Sequence, residues 1–369
     1  MRTLLSGAVA LAFVASSAGT RAADFDHHLK VTIDTAVFGY YAAETPPVLT
    51  IKSGERVKID TVSLSGIPDD PETFYREQGI STDNAAIQDI IALKSEAKKR
   101  NLTLRGPLTG PIAVEGAEPG DTLEVRVLSL KFRANYGINS TRPGGTGPLS
   151  DLVPRPWQQV YRIDPARHRA IFSPTIEMPL QPHLGQMGVA PPAEMGRLRS
   201  GPPTMVHGGN FDLREITVGS SLYLPVSVKG GIFTTGDPHA LQGNGEVTGF
   251  TIECNIEGIL QFIVHKATGL KVPRIETPTH YIAIGIHDEL DGAMRAATLE
   301  AQAFLKEKEG MDFFTSYSFL SMGADFCVTR ALKPGQMIHV MIPKSHFLAH
   351  KNTYWYRPPS PGIAALATP

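Results

Sequence analysis

The chain is short of cysteine, of net charge and of long apolar runs. Only Cys254 and Cys327 occur in 369 residues. Two thiols cannot make a disulfide framework, and a chain of this size does not need one. Both sit in apolar, strand-like surroundings, FTIECNI and ADFCVTR, which fits buried free thiols better than a bridge. A net charge of −1 offers nucleic acid or an anionic membrane no electrostatic hold, so neither is expected as a partner. Beyond the N-terminus no stretch approaches the ~20 apolar residues of a spanning helix. The ordinary catalytic signatures are missing too: no G-x-S-x-G elbow, no Walker loop, no H-E-x-x-H and no pair of C-x-x-C motifs. GGTG at 144–147 lacks the Lys-Ser/Thr of a phosphate cradle, and the serines of VGSSL at 218–222 have no adjacent Lys or His.

What is abundant is turn chemistry. With 35 Gly and 29 Pro, strands joined by shaped loops are favoured over a helical bundle. The start, MRTLLSGAVALAFVASSAGTRA, has a basic residue, a short apolar run and then small residues. It reads as a secretory signal peptide over residues 1–22, which places the mature chain in the periplasm. PVLTIKSGERVKIDTVSL reads as two strands around Ser53-Gly54. EPGDTLEVRVLSLKF reads as a strand whose apolar phase flips after Val127, the mark of a bulge. SLYLPVSV alternates, with Pro225 pushing it toward a sheet edge. Helices are expected over 83–100, capped by Asp83 or Asn84, over 288–310 and over 312–322. In the second, Leu290, Met294, Ala297, Ala301 and Phe304 form one stripe, ended by Gly310. Residues 179–210 show no period and read as a long loop able to wall a site. The expected organisation is a β-rich domain over 23–273, an α/β portion over 274–347 and a tail over 348–369.

Polar residues gather in glycine-rich turns. His207 and Asp212 flank GGN, while TTGDPHALQGNGEV holds Asp237, His239, Gln242 and Glu246. Glu253, Glu276, Thr279 and His280 follow. Carboxylates and imidazoles in such numbers suit a hydrolytic metal site: about three protein ligands, a position for water and a carboxylate to take its proton. No ligand pair has a diagnostic separation, so a structural network of buried turns accounts for the same residues.

GPLTGPIAVEGAEPGDTLEVRVLSL, VHGGNFDLREITVGSSLYLPV, TTGDPHALQGNGEV and ETPTHYIAIGI, in this order, resemble the acetamidase/formamidase family over about residues 28–347. The resemblance implies a mainly β fold, with β-sandwich-like sheets and an appended α/β portion. It also implies a homo-oligomer, hydrolysis of small linear amides to carboxylate and ammonia, and a divalent metal, zinc being the expected ion. Carried onto this chain, it makes Asp212 and His239 the expected metal ligands and Glu246 the base that activates water. Gln242 and Asn210 are then expected to orient the substrate amide. Three departures stand out. Relatives usually carry a His where Gly106 stands in RGPLTGP, many carry a His-Trp pair where this chain has Val37-Phe38, and Asn244 replaces a frequent Asp. His207, His280 or Arg105 are the groups that could compensate. Arg105 would repel a cation and welcome a carboxylate, which points to a changed substrate. The alternative is a ligand-binding or scaffold protein that has lost hydrolysis.

Overall fold

Alternation of apolar and polar residues settles the central strands. In the computed structural model, which describes residues 25–348, TLEVRVLSLKF is one strand, Thr122–Phe132. Its change of phase is a bulge. Val127 faces Leu260 and Ser129 faces Ile259, so Leu128 is left over against the strand Ile256–His265. These two strands lie inside a nine-stranded sheet. In spatial order its strands are His27–Leu29, Arg56–Asp60, Ile256–His265, Thr122–Phe132, Ser221–Pro225, Arg274–Glu276, His280–His287, Gln336–Pro343 and Asp325–Arg330. The expected signal peptide and all but the first residue of the expected tail lie outside the described residues.

A six-stranded sheet faces it. This runs Gly208–Asn210, His183–Gly188, Phe233–His239, Pro107–Val114 and Ala36–Phe38, with Leu49–Ile51 also paired to Pro107–Val114. Val125, Leu260 and Phe262 of the larger sheet share one core with Ile112, Leu184, Met187 and Phe233 of the smaller. The Phe233 and Phe262 rings meet edge to face at 5.1 Å. The two sheets thus form a sandwich, with apolar burial between them as the main stabilising term. A four-stranded sheet (Tyr136–Thr141, Trp157–Asp164, Arg169–Ser173, Ile176–Pro179) flanks the sandwich.

The helices follow their sequence signals. Ala85–Lys99 starts at Asn84, whose Oδ1 accepts from the backbone N–H groups of Ala86 and Ile87. Leu290–Glu309 ends at Gly310 in the left-handed conformation, and Phe313–Gly323 is capped by Asp312. The stripe of the second helix is shifted from the expected one. Ala293, Ala297, Ala301, Phe304 and Leu305 are buried, while Leu290 and Met294 are exposed. Gly285 explains the shift. A Cβ there would lie 2.1 Å from Ala297 N and 2.3 Å from Ala293 O, so the alanine face packs directly on the strand backbone. Among the described residues no helix is long and apolar enough to cross a membrane.

Three further expectations are corrected. Ser221–Pro225 is not an edge strand, since Thr122–Phe132 and Arg274–Glu276 flank it. Within this strand only Ser221 to Tyr223 pair with Arg274–Glu276, so Pro225 lies past the point where a second donor would be needed. The 179–210 loop contains strands His183–Gly188, Leu198–Arg199 and Gly208–Asn210 and a short 3₁₀ turn, Ala193–Met195. Every residue of His183–Gly188 is buried, and a strand covered on both faces shows no alternation to read. Finally, the portion from residue 274 continues the nine-stranded sheet instead of docking on it. Both cysteines are free, Cys254 buried and Cys327 partly so.

Candidate metal and active site

The smaller sheet brings the opening polar stretch and the GGN turn together. Phe233–His239 ends on His239, and its neighbour His183–Gly188 pairs on the other side with Gly208–Asn210, just before Asp212. One ligand atom each from Asp212, Asp237 and His239 lies within 4.8 Å of the others. Asp212 and His239, the two expected ligands, therefore converge. Asp237, from the same motif, makes the third member. Glu246 and Glu253 line the same cavity of about 290 Å³ as Asp212, Asp237 and Asn210.

Backbone strain is concentrated here. Asp212, Asp237 and Glu246 have φ of 47°, 57° and 43°, in the left-handed region that non-glycine residues rarely occupy. Each such residue costs on the order of 1–3 kcal/mol, and strain of this kind clusters where function fixes geometry.

The His239 ring is held from both ends. Its Nε2 lies 3.4 Å from Asp237 Oδ1 and 3.3 Å from Glu253 Oε1. Its Nδ1 is 3.2 Å from His183 Nε2. His183 in turn meets the Gln181 carbonyl at 3.0 Å and Gln242 Oε1 at 2.9 Å. Gln242 Nε2 donates to the backbone carbonyl of Asp212. Both ends of the Gln242 amide are thus used inside the protein, and Gln242 is not among the residues lining the 290 Å³ cavity. Its place is behind Asp212 and the His183–His239 pair, which it braces. Asn210 does line that cavity. Its Nδ2 donates to the Gly201 carbonyl at 2.8 Å, while its Oδ1 is buried without a partner.

Charge in the site is out of balance. Burial and the neighbouring Asp212 push the Glu246 carboxyl well above the usual carboxylate range. Burial also raises Asp212, although Arg330 opposes it. Burial would raise Asp237 too, but the charge of His239 and its hydrogen bond outweigh this and lower it. At His239 burial opposes the cation, yet Glu253 and Asp237 prevail and raise its pKa well above the ordinary value. His183 is held at about 4 by burial and by His239, so it stays neutral.

The residues present fit a divalent cation. Asp212 Oδ1 is buried with no hydrogen-bond donor. Space for an ion is kept by Gly185, where a Cβ would lie 2.6 Å from Asp212 Oδ1 and 2.6 Å from His239 Cε1. Two carboxylates and an imidazole are a suitable donor set for such an ion. A cation would also relieve the carboxyl crowding that raises Glu246.

Arg330, Gly185 and His183 were not expected from the sequence, and Glu253 was named there without a role. Arg330 ends the outermost strand of the nine-stranded sheet, Asp325–Arg330, and its Nη1 reaches the Asn210 carbonyl at 2.8 Å and Asp212 Oδ2 at 3.3 Å. Glu253 is fixed by Ser63 Oγ at 3.2 Å and by the Thr251 N–H at 3.1 Å. Gly185 and His183 lay in the segment read as a loop. The groups considered as substitutes for a missing histidine are elsewhere. His207 stacks on Tyr41 with ring centroids 4.8 Å apart, and burial holds its imidazole at about 4. His280 bonds Thr279 Oγ1 at 2.8 Å, and Glu276 pairs with Lys344 at 2.8 Å. Arg105 and Gly106 line a separate outer cleft of about 600 Å³. Val37 is buried and paired with Leu108, and Phe38 with Pro107. The departures at 37–38 and 106 are therefore neighbours across one ladder.

The chain has relatives among known proteins. A sequence profile described as the acetamidase/formamidase family matches residues 25–199 and 196–283. The formamidase of Methylophilus methylotrophus is 25% identical over 265 residues, 58% of this chain and 60% of that protein. The acetamidase of Mycolicibacterium smegmatis is 23% identical over 278 residues, 60% of this chain and 64% of that protein. The chain thus spans less than two thirds of the length of these curated relatives. Among solved structures, a recombinant predicted acetamidase/formamidase of the thermophile Thermoanaerobacter tengcongensis superposes with a TM-score of 0.73 at 26% identity. That match covers 88% of this chain and 98% of the other. An acetamidase from Bacillus halodurans gives a TM-score of 0.71 at 26% identity, covering 88% and 99%. The profile match extends over well more than half of the residues, and the chain belongs to the acetamidase/formamidase family.

Proposed function

We propose that this chain hydrolyses small linear amides to a carboxylate and ammonia, with Asp212, Asp237 and His239 holding a divalent metal, zinc by preference. The observation that carries the reading is the convergence of those three side chains within 4.8 Å beside Glu246. Family membership and relatives named formamidase and acetamidase support it. Export is part of the proposal, supported by the apolar start of the sequence, and so is a homo-oligomer, supported by the family resemblance.

An amide carbonyl is a poor electrophile and its amine a poor leaving group. The bound ion would supply Lewis acidity toward the carbonyl and toward water. The remaining work falls to the protein. Asn210 Oδ1, buried and unpartnered, accepts an N–H of the substrate amide and turns the carbonyl carbon toward the acids. Glu246 takes a proton from the attacking water and returns it to the departing nitrogen. In balance, the water oxygen bonds to the carbonyl carbon, the C–N bond breaks, and ammonia leaves with the transferred proton. Arg330 limits repulsion between Asp212 and Glu246, while His183 and Gln242 keep the ligands aimed.

Ammonia release from small amides by wild type and Glu246→Gln, both loaded with metal, is the test. Loss of a general acid/base costs about 10²–10⁴ in kcat, with fold and metal content retained. A folded, metal-loaded wild type that releases no ammonia, yet is stabilised by amides, would instead establish the binding-protein alternative.

A further inference from the structure

Beside the inner cavity lies a cleft much larger than a one- or two-carbon amide needs. Ser65, Arg142 and Phe250 line both the inner cavity and this outer cleft of about 600 Å³, so the two adjoin. Clefts of roughly 300–1,000 Å³ accommodate whole drug-sized ligands. The outer cleft has two charged residues, Arg105 and Arg142, and no acid. Ser65, Ser140, Thr141 and Gln158 add hydrogen-bonding groups around them.

Neither guanidinium has a carboxylate partner among the described residues. Arg142 lies over the Phe250 ring at 5.9 Å, which orients it without neutralising it. Arg105 runs its stem across Gly39, where a Cβ would lie 2.6 Å from Arg105 Cδ. Gly39 directly follows the strand Ala36–Phe38, and its missing side chain is what lets Arg105 lie there. A side chain at Gly106 would meet nothing within 4 Å, so the cleft is unobstructed beside Arg105.

We propose that the site selects amides that also carry a carboxylate, with Arg105 and Arg142 holding the carboxylate in the outer cleft while the amide enters the inner cavity. This rests on the hydrolase reading above for the reaction, but not for the binding. Orientation follows from charge. Asp212, Asp237, Glu246 and Glu253 line the inner cavity together with Arg142, Arg199, Arg330 and Lys333, whereas the outer cleft has arginines and no acid, so the carboxylate is held best outside and the neutral amide end within. Guanidinium is the cation best matched to a carboxylate, through paired N–H donors.

The experiment compares succinamate with butyramide, two chains of equal length that differ by a carboxylate in place of a methyl. Metal-loaded wild type is expected to prefer succinamate by tenfold or more in kcat/KM. The preference should lie in KM and weaken as salt is raised. The double variant Arg105→Gln/Arg142→Gln, both exposed positions, is expected to lose most of that preference. Turnover of butyramide with an equal or lower rate for succinamate overturns the proposal and leaves the hydrolase reading standing. A preference that survives in the double variant overturns the assignment to these arginines. If neither amide is hydrolysed, thermal stabilisation by succinamate that disappears in the double variant supports the anion site alone. Absence of that stabilisation removes both readings.

Discussion

Arg330 is the residue of the C-terminal portion that bonds to Asn210 and Asp212, and Arg330→Met measures what that contact is worth. The side chain is 5% exposed, and methionine keeps most of its apolar volume while removing the charge. Three contacts go, the longest a 3.4 Å hydrogen bond to the Gly201 carbonyl. The hydrogen bond to the Asn210 carbonyl at 2.8 Å is one from a charged donor, worth about 1.5–3 kcal/mol. The contact with Asp212 at 3.3 Å is an ion pair in which both partners are nearly inaccessible, and removing one partner of such a pair costs about 3–5 kcal/mol. Asp212 has a partial escape. Its raised pKa lets it take a proton and share it with Glu246, so the lower end applies, about 3 kcal/mol in metal-free protein. At roughly 2 °C per kcal/mol for a chain of this size, Tm should fall by about 6 °C. Arg330→Lys, which keeps the charge but not the planar fork, should fall by about half as much. Scanning calorimetry of chelator-treated protein gives these values. A fall below about 2 °C in Arg330→Met would refute the idea that Arg330 is the counter-charge of this site.

Three further outcomes are expected. Gly185→Ala places a methyl against Asp212 and His239, and should abolish metal binding by titration calorimetry while the circular dichroism spectrum is kept. Gly285→Ala, whose Cβ would overlap the backbone of the helix Leu290–Glu309, should cost about 1–3 kcal/mol or more in urea unfolding with no effect on metal affinity. Stability should also decline with acid in two stages. Burial holds His207 and His339 at about 4 against an ordinary 6.5. Only the unfolded chain takes up their protons between those values, so stability is lost as pH falls from 6.5 to 4, by about 3 kcal/mol each. Glu124 gives the second stage. Burial opposes its charge, but hydrogen bonds from His265 and Arg126 prevail and bring it from 4.5 to about 2. Its contribution is full above 4.5 and disappears toward 2. Urea unfolding of metal-free protein across this range checks both stages, and a midpoint that is flat from pH 7 to 4.5 would contradict the first.

What could be read from the sequence was what repeats or caps. Thr122–Phe132 showed even its bulge, because a change in apolar phase is visible whenever one face is buried. Ala85–Lys99 and Leu290–Glu309 showed their ends, through Asn84 and Gly310. His183–Gly188 could not be read, because burial on both faces erases alternation and its two glycines resemble a loop. The same strand supplies Gly185 and His183, so part of the site was lost with it. Arg330 was invisible for another reason: its partners, Asn210 and Asp212, are more than a hundred residues away, and nothing local marks a strand-end arginine as inward. Asp212 and His239 stood out only as members of a larger polar set, and the resemblance alone singled them out as ligands, since their separation along the chain matches no ligand motif. Gln242 shows the limit of that route. The resemblance marked it as important, but only the geometry shows that it braces His183 and the Asp212 carbonyl.

Metal content measured on purified protein, for wild type beside Asp212→Asn and His239→Gln, bears most directly on the convergence of Asp212, Asp237 and His239. One divalent ion per wild-type chain, lost from both variants while their folds persist, is the predicted result. A correctly folded wild type that takes up no divalent ion at micromolar concentration, or variants that retain it in full, would contradict the account.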